Sequence, residues 1–159
     1  MKIPEVLPAE FLEGIKEVSI DASSIIYLLK VGLLGSVAAE IHLVSSQQII
    51  DEVGWPHLPV NSYIMKNENL TNDETIVKLA VSRHISVLSE DREVLKNAET
   101  NGLNYYNTLM ILNYLLLKKR IDILEYPEYL SRLIEVSHYS QDIIDYGASI
   151  MELVLKISK

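Results

Sequence analysis

Apolar and polar positions switch between two periods along the chain. Glu17-Val-Ser-Ile-Asp21 alternates as a short strand closed by an acid, and Ser23 to Lys30 continues with apolar residues at helical spacing. The chain therefore opens as strand, tight turn and helix. Gly32 and Gly35 break that helix, Ser36 to Ile41 predicts another short one, and Ile41 to Val44 predicts a strand. Ser45 or Ser46 then caps a helix through Glu52. From Gly54 to Thr71, with Pro56, Pro59 and several Asn, no period holds, which predicts a surface excursion with a short strand near Val60. Asn72 is the expected N-cap of a helix from Asp73 to His84, whose apolar face is Ile76, Val77, Leu79 and Ala80. Asp73 and Glu74 suit its positive dipole end.

Ile85 to Leu88 predicts a buried strand, Ser89-Glu-Asp91 a polar turn, and Arg92 to Thr100 a helix stopped by Asn101-Gly102. Leu103 to Tyr106 then feeds a helix from Thr108 to Lys118. Two helices close the chain, Pro127 to His138, begun by its proline, and Gln141 to Lys156, capped by Ser140. Strands alternating with helices predict an α/β fold, a largely parallel sheet covered on both faces through right-handed crossovers. No repeat or linker divides the 159 residues, so one domain is expected over 1–159, with 122–159 as a helical extension of it.

Composition narrows the function. With no cysteine there are no disulfides, thiolate zinc sites or cysteine nucleophiles, which suits a reducing cytoplasm. The longest apolar runs, Ile25 to Leu29 and Leu109 to Leu117, fall short of the roughly 20 residues that cross a bilayer, so no membrane association is expected. The first ten residues are too polar and too proline-broken for a signal peptide, and no export is expected. A net charge of −8 disfavours bulk binding of polyanions. It leaves room for a nucleic-acid enzyme whose acids gather divalent cations and so reverse the local charge.

Loops at the carboxyl ends of parallel strands converge on one edge, where ligands usually bind. Asp21 and Asp91 belong to that edge; Glu52 and Asp73 are not brought there by spacing alone. The residue patterns add more. Ile20-Asp-Ala-Ser-Ser-Ile-Ile-Tyr-Leu28, Gln48-Ile-Ile-Asp-Glu52, Asp73-Glu-Thr-Ile-Val-Lys-Leu-Ala80 and Val87-Leu-Ser-Glu-Asp-Arg92 resemble, in this order, the segments of the PIN-domain family. Asn107-Thr-Leu-Met-Ile-Leu112 resembles a later family segment, with Asn107 where Gly is usual, and the closing helices resemble the extension of one prokaryotic subgroup.

The resemblance implies a PIN-like three-layer α/β/α fold and a metal-dependent nuclease, in particular an endoribonuclease, with a toxin role and an antitoxin partner by analogy and homodimerisation as a common family trait. It places Asp21, Glu52, Asp73 and Asp91 as catalytic metal ligands, with Ser23, Ser89 and Glu90 in support. Clustered carboxylates need compensation, since two unit charges 4 Å apart repel by about 4 kcal/mol at an effective dielectric near 20. Mg²⁺ or Mn²⁺, which favour hard oxygen ligands, would supply it and activate water for in-line attack on phosphorus.

Each acid also has a plainer reading: a polar turn for Asp21, a dipole partner for Asp73, a solvated helix residue for Glu52 and an N-cap for Asp91. Only the set points to a shared site. Glu90 reads either as a fifth acid or as an exposed helix start. His42, His57, His84 and His138 lack zinc-hydrolase spacing. Lys118-Lys-Arg120 reads first as helix-end cations and second as a phosphate contact, Trp55 first as a packing plug and second as a stacking platform, and the tyrosine-rich carboxyl half first as core-edge packing. A catalytically silent RNA- or protein-binding module of the same fold is the main rival. A receiver-like phosphoacceptor is disfavoured because no paired acids follow the first strand.

Overall fold

The computed structural model describes residues 7–66 and 69–157. Most of the amino-terminal stretch read above for export, and the last two residues of the expected extension, lie outside them. The described residues form α1 (Ala9–Glu13), β1 (Glu17–Ile20), α2 (Ala22–Val31), α3 (Leu34–Glu40), β2 (His42–Ser46), α4 (Gln47–Val53) and β3 (Asn61–Tyr63). They continue through α5 (Asn72–Arg83), β4 (Ser86–Leu88), α6 (Arg92–Thr100), β5 (Tyr105–Tyr106), α7 (Thr108–Leu117), α8 (Tyr126–Ser137) and α9 (Gln141–Ile157).

The strands form one sheet in the order β3-β2-β1-β4-β5, and every pairing among them is parallel. Val18 and Ile20 of the central strand are wholly buried, as expected of a strand covered on both faces. Right-handed crossovers on this strand order put α2, α3 and α4 on one face and α5 and α6 on the other. The contacts follow suit: α2 packs on α4, α5 packs on α6, and α7 joins the first face against α2 and α3. Helices α8 and α9 form an outer layer, α8 on α2 and α9 on α7. Helix α7 is therefore buried almost all round, from Thr108 to Leu116, which explains its lack of a polar stripe. Among the described residues no single helix is long and apolar enough to cross a membrane.

The chain departs from the sequence expectations in three places. Gly32 ends α2 in the left-handed region at φ 80°, as a C-cap glycine should, but Gly35 lies inside α3 and breaks nothing. Thr71, not Asn72, caps α5, through a full capping box in which Thr71 and Glu74 satisfy each other's backbone amides. Helix α1 was not anticipated; it is a single turn held by burial of Phe11 against Tyr106 and Tyr114, with ring centroids 6.1 and 5.5 Å away. A contact so distant in sequence leaves no local period to read. His57, His84 and His138 all sit at positive φ, the last two as C-caps of α5 and α8, a structural use in keeping with their lack of zinc-hydrolase spacing.

Candidate active site

The strand order reverses between β1 and β4. The chain leaves β1 toward β2 and β3, then crosses back to β4 and β5, and the diverging connections open a crevice at the carboxyl ends of the central pair. Ile20 pairs with Leu88 in register, so the next residues, Asp21 and Ser89, stand side by side at the lip. Asp21 caps α2, its Oδ1 accepting the Ala22 amide at 2.8 Å, and its Oδ2 accepts the Ser89 hydroxyl at 2.8 Å. The same hydroxyl oxygen accepts the Asp91 amide at 3.0 Å. Ser89 thus ties the two strand-end acids together. Asp91 caps α6 with Oδ1 alone, which accepts the Glu93 and Val94 amides at 2.8 and 3.4 Å, so Oδ2 plays no part in the cap.

Asp73 reaches the same edge because α5 runs back across the sheet. Its first turn is fastened by Thr75, whose hydroxyl bonds Ser46 Oγ at 2.8 Å and donates to the Asn72 carbonyl at 2.6 Å. At the next residue, Ser19 Oγ donates to the Ile76 carbonyl at 2.8 Å. Ser46 also caps α4, accepting the Ile49 amide at 3.3 Å, and α4 carries Glu52 in its last turn. A single buried hydroxyl pair therefore joins the helix that bears Asp73 to the helix that bears Glu52. Ser46 and Thr75 were not among the residues singled out from sequence for the site; the only signal was a serine before a helix, read as a cap.

The acids feel one another. Asp21 is 4% exposed, and burial pushes its carboxyl up to about 6 against the pull of the Ser89 and Ala22 bonds, with the charges of Asp73 and Asp91 adding to the rise. Asp73 is raised by desolvation, then by Asp91 and by Glu52. Asp73, Asp91 and Glu52 are exposed. The arrangement is a buried carboxylate, Asp21, that feels Asp73 and Asp91, with Asp73 in turn feeling Asp91 and Glu52, and their mutual repulsion would be relieved by a cation or by protons. Among the described residues no three His, Cys, Asp or Glu side chains converge closely enough to make a ready cation cage.

The supporting residues divide. Ser23 Oγ accepts the Glu90 amide at 3.3 Å and so steadies the turn that carries Asp91. Glu90 is neither of the two things expected of it. Its carboxylate accepts the Thr108 amide at 3.1 and 3.2 Å, the Thr108 hydroxyl at 2.9 Å, and the hydroxyls of Ser24 and Tyr139, and desolvation raises its pKa. Asn107, where the family segment has Gly, caps α7 by accepting the Met110 amide at 2.9 Å.

The basic cluster stands apart from the acids, and Trp55 departs from its first reading. Lys118 donates to the Glu13 carbonyl at 3.3 Å and Arg120 pairs with Glu40 at 2.5 Å; both partners precede strands, which puts this basic cluster at the amino edge, opposite the acids. Trp55 is 59% exposed, so it is not a packing plug. The tyrosines mostly are packing: Tyr106, Tyr114 and Tyr126 are buried.

No family profile matches the chain, and no curated protein matches it. Among solved structures it is similar to a PilT N-terminus domain protein of the hyperthermophilic archaeon Sulfolobus solfataricus P2, with 17% identity and a TM-score of 0.50 over 64% of this chain and 94% of that one. At that identity the likeness is one of fold, and it is the PIN fold that the sequence segments resemble.

Proposed function

We propose that this chain is a metal-dependent nuclease, an endoribonuclease hydrolysing phosphodiester bonds at a site built from Asp21, Glu52, Asp73 and Asp91. The observation that carries the reading is the gathering of four acids from four separate stretches at the switch point of a PIN-type sheet, close enough that Asp21 and Asp73 are each raised partly by neighbouring acids. A structural set of caps and surface acids has no need to share one crevice.

The donors suit Mg²⁺ or Mn²⁺. All are hard carboxylate oxygens, and an ion that keeps most of its waters needs one or two protein carboxylates rather than a closed cage. Such an ion would supply charge neutralisation at the phosphate and a more acidic water. The chain's own part is orientation. Asp21, fixed by Ala22 and Ser89, is the rigid ligand, and Asp91 keeps Oδ2 outside its capping duty. Asp73 and Glu52 complete the negative rim.

RNA as substrate, a toxin role, an antitoxin partner and a homodimer extend the PIN resemblance to this chain. The direct test is cleavage of a single-stranded RNA with Mn²⁺, with EDTA and with Asp21→Asn. Activity that requires Mn²⁺ and disappears in the variant is expected; metal-independent cleavage, or an unaltered variant, sinks the reading. A silent module of the same fold draws on the absence of a closed three-ligand group among the described residues, and it predicts RNA or protein binding with no cleavage under any divalent ion.

A further inference from the structure

We propose that Glu90 is a positioning residue that sets the cation affinity of the acidic site by locking the β4–α6 turn to α2, α7 and the α8–α9 connection. The inference rests on the reading of the four acids as a cation site.

Glu90 stands between Ser89, which ties the strand-end acids together, and Asp91, which is one of them. Donors reach its carboxylate from three other parts of the chain: the Ser24 hydroxyl in the first turn of α2, the amide and hydroxyl of Thr108 at the start of α7, and the Tyr139 hydroxyl from the connection between α8 and α9. Its backbone amide donates to Ser23 Oγ at 3.3 Å. With both oxygens taken, Glu90 has little capacity left as a fifth ligand, but it is suited to be an anchor. Charge-assisted bonds to a desolvated carboxylate are among the stronger ones a protein makes, and removing one partner leaves the rest mismatched.

The anchor bears on the site through the backbone. Consecutive Cα atoms are about 3.8 Å apart, so a swing of residue 90 carries Ser89 and Asp91 with it. Ser89 is bonded at once to Asp21 and to the Asp91 amide. One displacement would therefore disturb both acids at the sheet's centre. Tyr139 is the donor contributed by the outer helices, and its ring meets the Tyr27 ring edge-on, centroids 6.3 Å apart, which fixes the direction from which its hydroxyl arrives. The outer helical layer thereby acts on the acid site without contributing a ligand to it.

The test measures Mn²⁺ affinity by calorimetry on the full chain, alongside thermal melting without metal and RNA cleavage across a Mn²⁺ series. The variants are Tyr139→Phe, Glu90→Gln, Asp21→Asn and, as a structural control, Tyr126→Phe, which loses its bond to Asn113 in the same outer layer. Outer residues that orient ligands typically change metal affinity by about 10–100-fold. Tyr139→Phe is expected to weaken Mn²⁺ binding by about tenfold and to raise the Mn²⁺ needed for half-maximal cleavage, with the rate at saturating Mn²⁺ largely retained. Tyr126→Phe lowers the melting temperature and leaves Mn²⁺ affinity alone. Should Glu90→Gln fail to fold, Tyr139→Phe carries the test. Wild-type Mn²⁺ affinity in Tyr139→Phe, or an equal loss in Tyr126→Phe, overturns the positioning role while Asp21→Asn still reports on the site. A wild-type chain that binds Mn²⁺ no better than Asp21→Asn overturns the site itself and this inference with it.

Discussion

A carboxylate buried as deeply as Asp21 gives the fold a pH dependence of definite sign. Its folded value, about 6, lies above the ordinary 3.8, so between those values the folded chain holds the proton more tightly than the unfolded one. Stability therefore falls as pH rises from about 4 to about 6 and then levels off. Removing the charge with Asp21→Asn should raise stability at pH 8, by an amount of order 3 kcal/mol at most, and change little below pH 4; melting curves at the two pH values check this. A variant less stable than wild type at both would show that the hydrogen bonds to Ala22 and Ser89 outweigh the buried charge. Asp21 and Asp91 were legible in the sequence because one directly follows a strand and the other closes the polar turn after a strand. The role of Glu90 was not, because its partners lie 66, 18 and 49 residues away, and no local pattern marks a residue whose meaning comes from distant donors.

Among the elements, the helix starts were read well where a side-chain cap precedes an apolar period, as at Ser46 and Ser140. Thr71 was passed over for its neighbour because Asn and Thr are both good caps, and only the reciprocal bond with Glu74 separates them. Thr71→Ala should cost about 1 kcal/mol in urea unfolding and loosen the turn that presents Asp73. At the α7–α9 crossing a Cβ on Gly147 would stand 2.4 Å from Leu109 Cδ2. Gly147→Ala is therefore expected to destabilise by about 1–3 kcal/mol through overpacking, despite the better helix propensity of alanine. An unchanged or higher melting temperature would mean that the helices part easily there.

On the scale of the whole molecule, strand–helix alternation was enough to read a parallel α/β sheet, because burial on two faces removes the polar alternation of strands and leaves short apolar runs between helices. What could not be read was which end of the sheet each charged cluster occupies. Lys118 and Arg120 stand at the amino edge, so the double substitution Lys118→Ala, Arg120→Ala is expected to leave the KM for RNA unchanged; a rise would give the cluster a role in holding nucleic acid. Asn113 carries a different implication. It is wholly buried in α7, donating to the Gly147 carbonyl at 3.0 Å and accepting the Tyr126 hydroxyl, so among the described residues α9 and α8 supply partners to its amide. A relative whose chain stopped after α7 would leave that amide stranded against apolar neighbours. Shorter homologues should carry alanine or leucine at this position, and the residue found there would serve as a one-letter marker of whether the outer helices evolved with the rest.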